Sequence, residues 1–550
     1  MRSHAIKAAA GIFLSRIFGF LRSALQARYF GVGAHADVLA TSFRLPNVLQ
    51  NLLGEQSLSA AFIPIYSRML EEGRREEAGR FAGAIFGLLL TVAAGLSLLG
   101  VLLARPLVAV FAAGFLREAD PAGVDRYELA VQGVQIIFPM VGILVLSAWC
   151  LGVLNSHRRF LLSYLAPVAW NAVIIAVLVW LGESFLRPEG PTGEGITLLE
   201  KSRLYFAVCW GALVGGALQF LVQLPTVLGV LRGFRLSLST RVTGVREALA
   251  AFGPVVAARG VVQVTGYLDH FLATFFAAGA VAAFDYTLRL YSLPIALFAL
   301  SVAAVELPEL SRLGEGDGHE GDGGGGEEVR RVVGGLRQVA FLTAPTVIGY
   351  LVFGHLIVEV IFRRGEFGAQ SHWLVYLTLA LFTLGLLPTT LSRLLTNAFY
   401  ARGDTKTPAK IAVLRMVVAV VLAAPLMWWL DRFTLEPWLP REGVGALHLG
   451  VLGLGVGSAV AAWLEISLLR GRLADRMAGF RVPVREIGRM LGLSVVAAVP
   501  AGALWWRVSS LGIWPSALLV LGLYAGAYLG GAWGLDFPEV RIWIQREGSE

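Results

Sequence analysis

Apolar runs of about twenty residues recur from one end of this chain to the other, and each is long enough to cross the hydrocarbon of a bilayer. About fourteen such windows are present, near 5–29, 36–62, 81–112, 130–154, 160–182, 203–231, 247–277, 280–308, 336–361, 373–400, 408–430, 446–470, 485–506 and 511–533. A backbone in hydrocarbon must satisfy its hydrogen bonds within the segment, so single apolar runs of this length predict helices. Only 15% of the 550 residues are charged and 56% are hydrophobic, whereas a soluble domain carries about 25% charged residues. The expected class is an all-α polytopic membrane protein, with the bilayer as its solvent.

The net charge of +8 does not point to nucleic acid, because the basic residues sit in short connections between apolar runs. One alternate set of connections, with both termini, holds roughly 27 basic residues and the other roughly 11. The richer set is expected on the cytoplasmic side, placing both termini inside. The first apolar run is interrupted by arginines and lacks a clear cleavage site, so it does not read as a removable signal. Cys150 and Cys209 lie in apolar segments and imply neither a disulfide framework nor a metal site.

Six spans precede the connection 232–246, six follow it, and two remain. This predicts an N-terminal six-helix lobe (1–231), a cytoplasmic lobe linker (232–246), a C-terminal six-helix lobe (247–472) and two extra helices (485–533). The acidic, Gly-rich stretch GEGDGHEGDGGGGEE, 314–328, reads as a flexible cytoplasmic loop. Its acids lack the spacing of a calcium loop.

The feature needing most explanation is charge inside the spans. In the first, Arg16, Arg22 and Arg28 stand six positions apart. In the second, Asp37, Thr41, Arg44, Val48, Asn51 and Glu55 follow steps of four and three, which is one helical face. Pro46 within it is expected to kink and break the helix. Asp285, Arg289 and Ser292 repeat the pattern in the eighth span, and Arg393, Thr396, Asn397 and Tyr400 in the tenth. Four arginines facing lipid would cost on the order of 10 kcal/mol, comparable with the whole net stability of about 5–15 kcal/mol. They must therefore face water, a counter-charge, or both. Arginines outnumber the acids Asp37, Glu55 and Asp285, and a hydrated basic cavity suits an anion; the guanidinium fork matches phosphate oxygens in pairs. The competing readings are snorkelling, which suits Arg28 and Arg105 near the interfaces, and local ion pairing, which suits Asp285 with Arg289.

SRIFGFLRSALQARYFG (15–31), AD at 36–37, FRLPNVLQNLLGEQSLSAAFIP (43–64) and AFYARGDTKTPAKIA (398–412), with LPELSR and IFRRGEF between them, are similar to segments of one family. Through these motifs the chain resembles the MurJ (MviN) family of bacterial lipid II flippases, in the multidrug/oligosaccharidyl-lipid/polysaccharide exporter superfamily. The resemblance implies two six-helix lobes rocking about a cationic cavity, and a groove for a polyprenyl tail beside the last two helices. It implies substrate-binding roles for Arg16, Arg22, Asp37, Arg44, Glu55, Arg289 and Arg393. The expected partners are lipid II, a polyprenyl pyrophosphate carrying a disaccharide-peptide, along with membrane lipids and cell-wall synthesis proteins. The expected location is the bacterial cytoplasmic (inner) membrane. The chain departs from the family at Ser23, Gln50, Asn51 and Ser292, where charged residues are common.

Transport of this kind makes and breaks no bond, so no enzyme and no cofactor is expected. No P-loop is present. Asp269 in TGYLDHF is the candidate for Na⁺ or H⁺ coupling; the alternatives are an ion pair with Arg259 or Arg415, and drive by the membrane potential. His270 beside it reads as a packed polar group. Other functions compatible with the same residues are export of another lipid-linked oligosaccharide or amphipathic molecule, a membrane glycosyltransferase or lipid phosphatase, or a scaffold. The outer connections FLREADPAGVDRYE and FTLEPWLPREGVGALH hold the acids such an enzyme would need, but they read as solvated turns.

Overall fold

A backbone that closes its own hydrogen bonds is what the described chain shows almost throughout. The computed structural model describes residues 2–117, 123–185, 196–299, 324–437, 439 and 446–540. Side chains are described for these except 2–10, 12, 55–56, 257–266, 299 and 324–325. Within them lie seventeen α-helices. The first ten are α1 (Arg2–Phe30), α2 (Ala34–Leu53), α3 (Glu55–Glu71), α4 (Arg75–Leu102), α5 (Ala104–Phe111), α6 (Arg126–Ser156), α7 (Phe160–Phe185), α8 (Leu198–Val230), α9 (Val245–Ala273) and α10 (Ala280–Pro294). They are followed by α11 (Gly324–Phe362), α12 (Ala369–Thr383), α13 (Leu386–Ala401), α14 (Lys406–Leu430), α15 (Leu452–Ala474), α16 (Val484–Val508) and α17 (Ile513–Gly534).

Among the described residues nine helices are long and apolar enough to cross a membrane, and α12 with α13, bent by 43°, makes a tenth. Length and composition alone therefore do not reproduce the expected fourteen. The expected spans that fall short are α1, α2 with α3, α9 and α10, and the first, second and last of these carry Arg16, Arg22, Arg44 and Arg289. Outward faces are apolar at helical spacing: Trp210, Val214, Leu218 and Leu221 on α8 are all exposed. An exposed aliphatic stripe of this kind belongs against lipid.

By packing, the chain divides into two compact units, one of Met1–Ala282 with Arg364–Gly368, the other holding the described residues of Ala283–Arg363, Ala369–Arg441 and Ala446–Glu550. The division falls after α9, which packs on α2, α3 and α4; the expected lobe linker, the connection 232–246, lies within the first unit. Part of that connection is itself seated. Gly79, Gly83 and Gly87 on α4 form a trough, and an added Cβ would stand 1.8, 2.2 and 2.3 Å from the carbonyl oxygens of Arg232, Arg235 and Ser237. Below it Phe62 stacks on Tyr66 and Phe81, with ring centroids 5.0 and 5.4 Å apart. Trp149 and Cys150 complete this core.

The second expected span breaks at Gly54 and not at Pro46, which α2 carries in its interior. The Gly54 N–H donates to the Gln50 carbonyl at 2.7 Å, and a Cβ on Gly54 would stand 2.4 Å from that oxygen. Ser57 Oγ donates to the Leu52 carbonyl at 2.6 Å, satisfying one acceptor freed at the break.

In the first unit the segment Arg364–Gly368 lies on the end of α1. Gly31 (φ +60°) and Gly365 (φ +57°) are both left-handed, and a Cβ on either would stand 2.4 Å from a carbonyl oxygen, of Glu366 and Arg28 respectively. Glu366 accepts from Lys201 Nζ at 2.7 Å and from the Ile196 N–H at 2.8 Å, with Lys201 and Glu366 both largely buried.

In the second unit, the stretch expected as a loop over 314–328 is helical where it is described, from Gly324 onward; residues 314–323 lie outside the described residues, as does LPELSR. Glu328 is buried just beyond the first turn of α11, and Arg402 engages both its oxygens. This Arg402 belongs to the ARGDTKTP motif. Its Nη1 donates to the Arg476 carbonyl at 2.9 Å, and Arg476 in turn pairs with Asp404. Asp404 accepts from the Lys406 and Thr407 N–H groups, both at 3.0 Å. Hydrogen bonding from Thr407 in the first place, and Arg476 after it, holds the Asp404 carboxyl down at about 2. Tyr524 and Tyr528 of α17 anchor that helix by donating to the Pro345 and Phe341 carbonyls of α11, each at 2.8 Å.

The α4 trough gives a direct test. Gly83→Val is expected to lower the melting temperature of the detergent-solubilised protein by about 2 °C or more, through overpacking against backbone. An unchanged melting temperature would mean that the connection is not held there.

Candidate functional site

Arg22 is held in a corner built by three helices of the first unit. α1 runs along α7 closely enough that a Cβ on Gly11 would stand 2.7 Å from Tyr164 Cβ. About three turns further on, Arg22 is half-buried, its guanidinium 4.6 Å from the Trp170 ring centre of α7 and 5.9 Å from that of Phe43 on α2. The Trp170 indole N–H donates to the Ala212 carbonyl of α8 at 3.1 Å. Arg44, next to Phe43, is also half-buried. Arg16 is exposed, and six residues of helix set it roughly 120° round α1 from Arg22. The structure thus places Arg22 beside an aromatic pair, with Arg44 on the same helix as Phe43 but one position round it, and leaves Arg16 on another side of its own helix. Arg28 pairs with Glu183 at 2.8 Å, and Arg105 with Glu128 at 3.0 Å, near helix ends.

The polar face of α2 has two halves. Asp37 has no exposed surface. Its oxygens accept the Gly279 and Ala282 N–H groups, each at 2.7 Å, at the start of α10, where a carboxylate meets the positive end of the helix dipole. Arg126 Nη1 lies 3.5 Å from Asp37 Oδ2 and donates to the Phe276 carbonyl at 3.3 Å. The Arg126 guanidinium is 4.9 Å from the Phe115 ring centre. Thr41 is buried and shares a 3.2 Å hydrogen bond with His270 Nε2, and the Ser42 and Tyr205 hydroxyls meet at 2.8 Å. This half is interior structure: Asp37, expected to meet substrate, is enclosed in this conformation. The other half opens through Arg44 to an exposed Asn51. The Glu55 side chain lies outside the described residues, and the break at Gly54 starts a new helix there.

Sequence reading missed Arg126, because it stands in a connection taken for a solvated turn. The signal was Asp125, which caps α6 by accepting the Glu128 N–H at 2.9 Å and so places Arg126 at the first helical position.

Asp269 is half-buried on α9, beside the buried His270 that Thr41 fixes. Arg259 lies outside the residues with described side chains. No cluster of three or more metal-ligating side chains occurs among the described residues. In the second unit Arg289 forks onto Asp285, through Nε at 3.0 Å and Nη2 at 2.7 Å, which is the local ion pair. Both side chains remain partly exposed, at 29% and 23%. Arg393 is exposed on α13, and Arg415 pairs with Glu465 at 2.5 Å. The acids Asp37 and Asp285 are thus engaged by Arg126 and Arg289, and Arg126 lies outside the arginine set they were expected to offset.

A family model described as "Lipid II flippase MurJ" matches residues 26–524. The chain belongs to the MurJ family. Relatives run nearly its full length. A Vibrio cholerae protein described as "Probable lipid II flippase MurJ" is 29% identical over 513 residues, covering 92% of this chain and 88% of that protein. A Burkholderia cenocepacia protein described as "Lipid II flippase MurJ" is 28% identical over 540 residues, covering 95% of each. A solved structure described as "Lipid II flippase MurJ, inward closed conformation" matches with a TM-score of 0.68 at 19% identity, over 96% of this chain and 99% of that one, and so shares the fold. The matched region includes Asp37 and begins four positions after Arg22, and the two residues have quite different surroundings.

Those surroundings predict separable effects. Asp37→Asn or Arg126→Met alone leaves a buried partner without its counterpart and is expected to cost about 3–5 kcal/mol of stability. The double variant is expected to recover part of that loss. A thermal double-mutant cycle measures it, and strictly additive losses would mean that the two side chains do not interact.

Proposed function

We propose that this protein is a lipid II flippase of the bacterial cytoplasmic membrane, working by alternating access. The match of the "Lipid II flippase MurJ" family model over residues 26–524 carries the reading. The chemistry at Arg22 supports it. A pyrophosphate offers adjacent anionic oxygens, and a guanidinium presents its donors in a planar fork that suits them. Arg22, half-buried beside Phe43 and Trp170, receives the pyrophosphate, with Arg16 and Arg44 as further basic residues of the first unit; Arg289 and Arg393 are the basic candidates of the second. Asp37 acts by fixing Arg126 and the start of α10, and not by touching the headgroup. The polyprenyl tail remains in hydrocarbon beside α16 and α17. Both termini lie in the cytoplasm in this reading, which the charge asymmetry of the connections supports.

No bond is made or broken in this cycle. The membrane potential acts on the charged headgroup with about 2.3 kcal/mol per charge per 100 mV, and Asp269 is the residue at which Na⁺ or H⁺ would couple.

The test is complementation of a bacterial strain depleted of its own lipid II flippase, at matched protein levels. The wild-type chain is expected to restore growth, and Arg22→Ala or Arg289→Ala to fail. Lipid II binding by the purified Arg22→Ala variant is expected to weaken about 10- to 100-fold, the worth of a hydrogen bond to a charged group. Growth restored by both variants would remove the proposed site.

A further inference from the structure

We infer that Trp170 is a positioning residue for substrate: its indole face sets the plane in which Arg22 presents its donors to the pyrophosphate. The inference rests on the proposed role of Arg22 and adds a residue that no arginine pattern identifies. An arginine in mid-helix has four rotatable side-chain bonds, and its charge alone does not fix the direction of the fork. The two flat faces of a guanidinium are weakly hydrated and stack on aromatic rings, whereas its donors all lie in the plane of the group. A ring under one face therefore orients the edge. Trp170 supplies that ring at 4.6 Å, closer than Phe43 at 5.9 Å.

Trp170 is itself held from three sides. Its indole N–H is tied to the Ala212 carbonyl at 3.1 Å. Phe43 leans on it at 53°, with ring centroids 6.3 Å apart. Gly215 of α8 leaves room for it: a Cβ there would stand 2.9 Å from the Trp170 carbonyl and 3.0 Å from its Cδ1. With its N–H bonded to the next helix, the indole cannot swing freely, so its face stays beside the guanidinium. A lysine at position 22 would keep the charge but have no plane for the indole to set.

The experiment measures lipid II binding to the full-length protein in nanodiscs, with wild type, Arg22→Ala, Trp170→Leu, Trp170→Phe and the Arg22→Ala/Trp170→Leu double variant, each checked for its melting temperature. Trp170→Leu is expected to weaken binding about 3- to 10-fold, in line with a desolvated cation–π contact. Trp170→Phe, which keeps a flat face, is expected to stay within about 3-fold of wild type. In the Arg22→Ala background Trp170→Leu is expected to add less than about 2-fold, because the side chain it positions is gone. Should Trp170→Leu fail to fold, Trp170→Met takes its place, similar in length and without a flat face. Wild-type binding by the leucine or methionine variant overturns the inference and leaves Arg22 in its role. So does an equal loss in both backgrounds, which would make the indole a support of the fold alone. Wild-type binding by Arg22→Ala overturns both the inference and the reading beneath it.

Discussion

A carboxylate with no exposed surface must be answered by donors, and Asp37 is answered by Gly279, Ala282 and Arg126. These come from the turn before α10, the first turn of α10 and the first turn of α6. One side chain of α2 thereby fixes the N-terminal ends of two other helices. Leaving such a charge unanswered inside a protein costs several kcal/mol, a large share of the net stability. The neighbouring buried bonds, Thr41 with His270 and Ser42 with Tyr205, extend the same knot along α2. The placing of Phe43 and Arg44, about two turns beyond Asp37 on the same helix, depends on it, and through Phe43 so does the corner in which Arg22 sits.

The helix class, the rough placing of the spans and the presence of charge inside them were legible in the sequence, because apolar length and misplaced charge are local signals. What escaped it were partnerships between distant segments. Arg126 stands 89 positions after Asp37 in a connection rich in acids, so nothing nearby marks it as buried. Trp170 lies in a uniformly apolar helix, where an aromatic residue reads as core or lipid contact. Pro46 was the stronger local signal for a break, yet the helix carries it and breaks at Gly54, where the peptide can turn back against the Gln50 carbonyl. Glu328 closed an acidic, Gly-rich run and read as solvated; Arg402, 74 residues on, draws it into a helix start.

The family motifs acquire different physical meanings once placed. AFYARGDTKTPAKIA holds a turn together by its own polar groups: Asp404 caps α14, and Arg402 ties that turn to α11 and to the end of α15. SRIFGFLRSALQARYFG is divided along its length. Arg22 faces aromatic rings, Arg28 meets Glu183, and Gly31 allows another stretch of backbone to approach.

That approach has a practical corollary for protein engineers. Between α11 and α12, RRGEF looks on paper like an ordinary surface hairpin, the natural spot for an epitope tag or a fluorescent fusion. Yet Lys201 finds its counter-ion there, and two glycines at that spot leave no thickness for extra atoms. Cargo inserted at this point would strand an ammonium group away from water and prise a helix end off its seat.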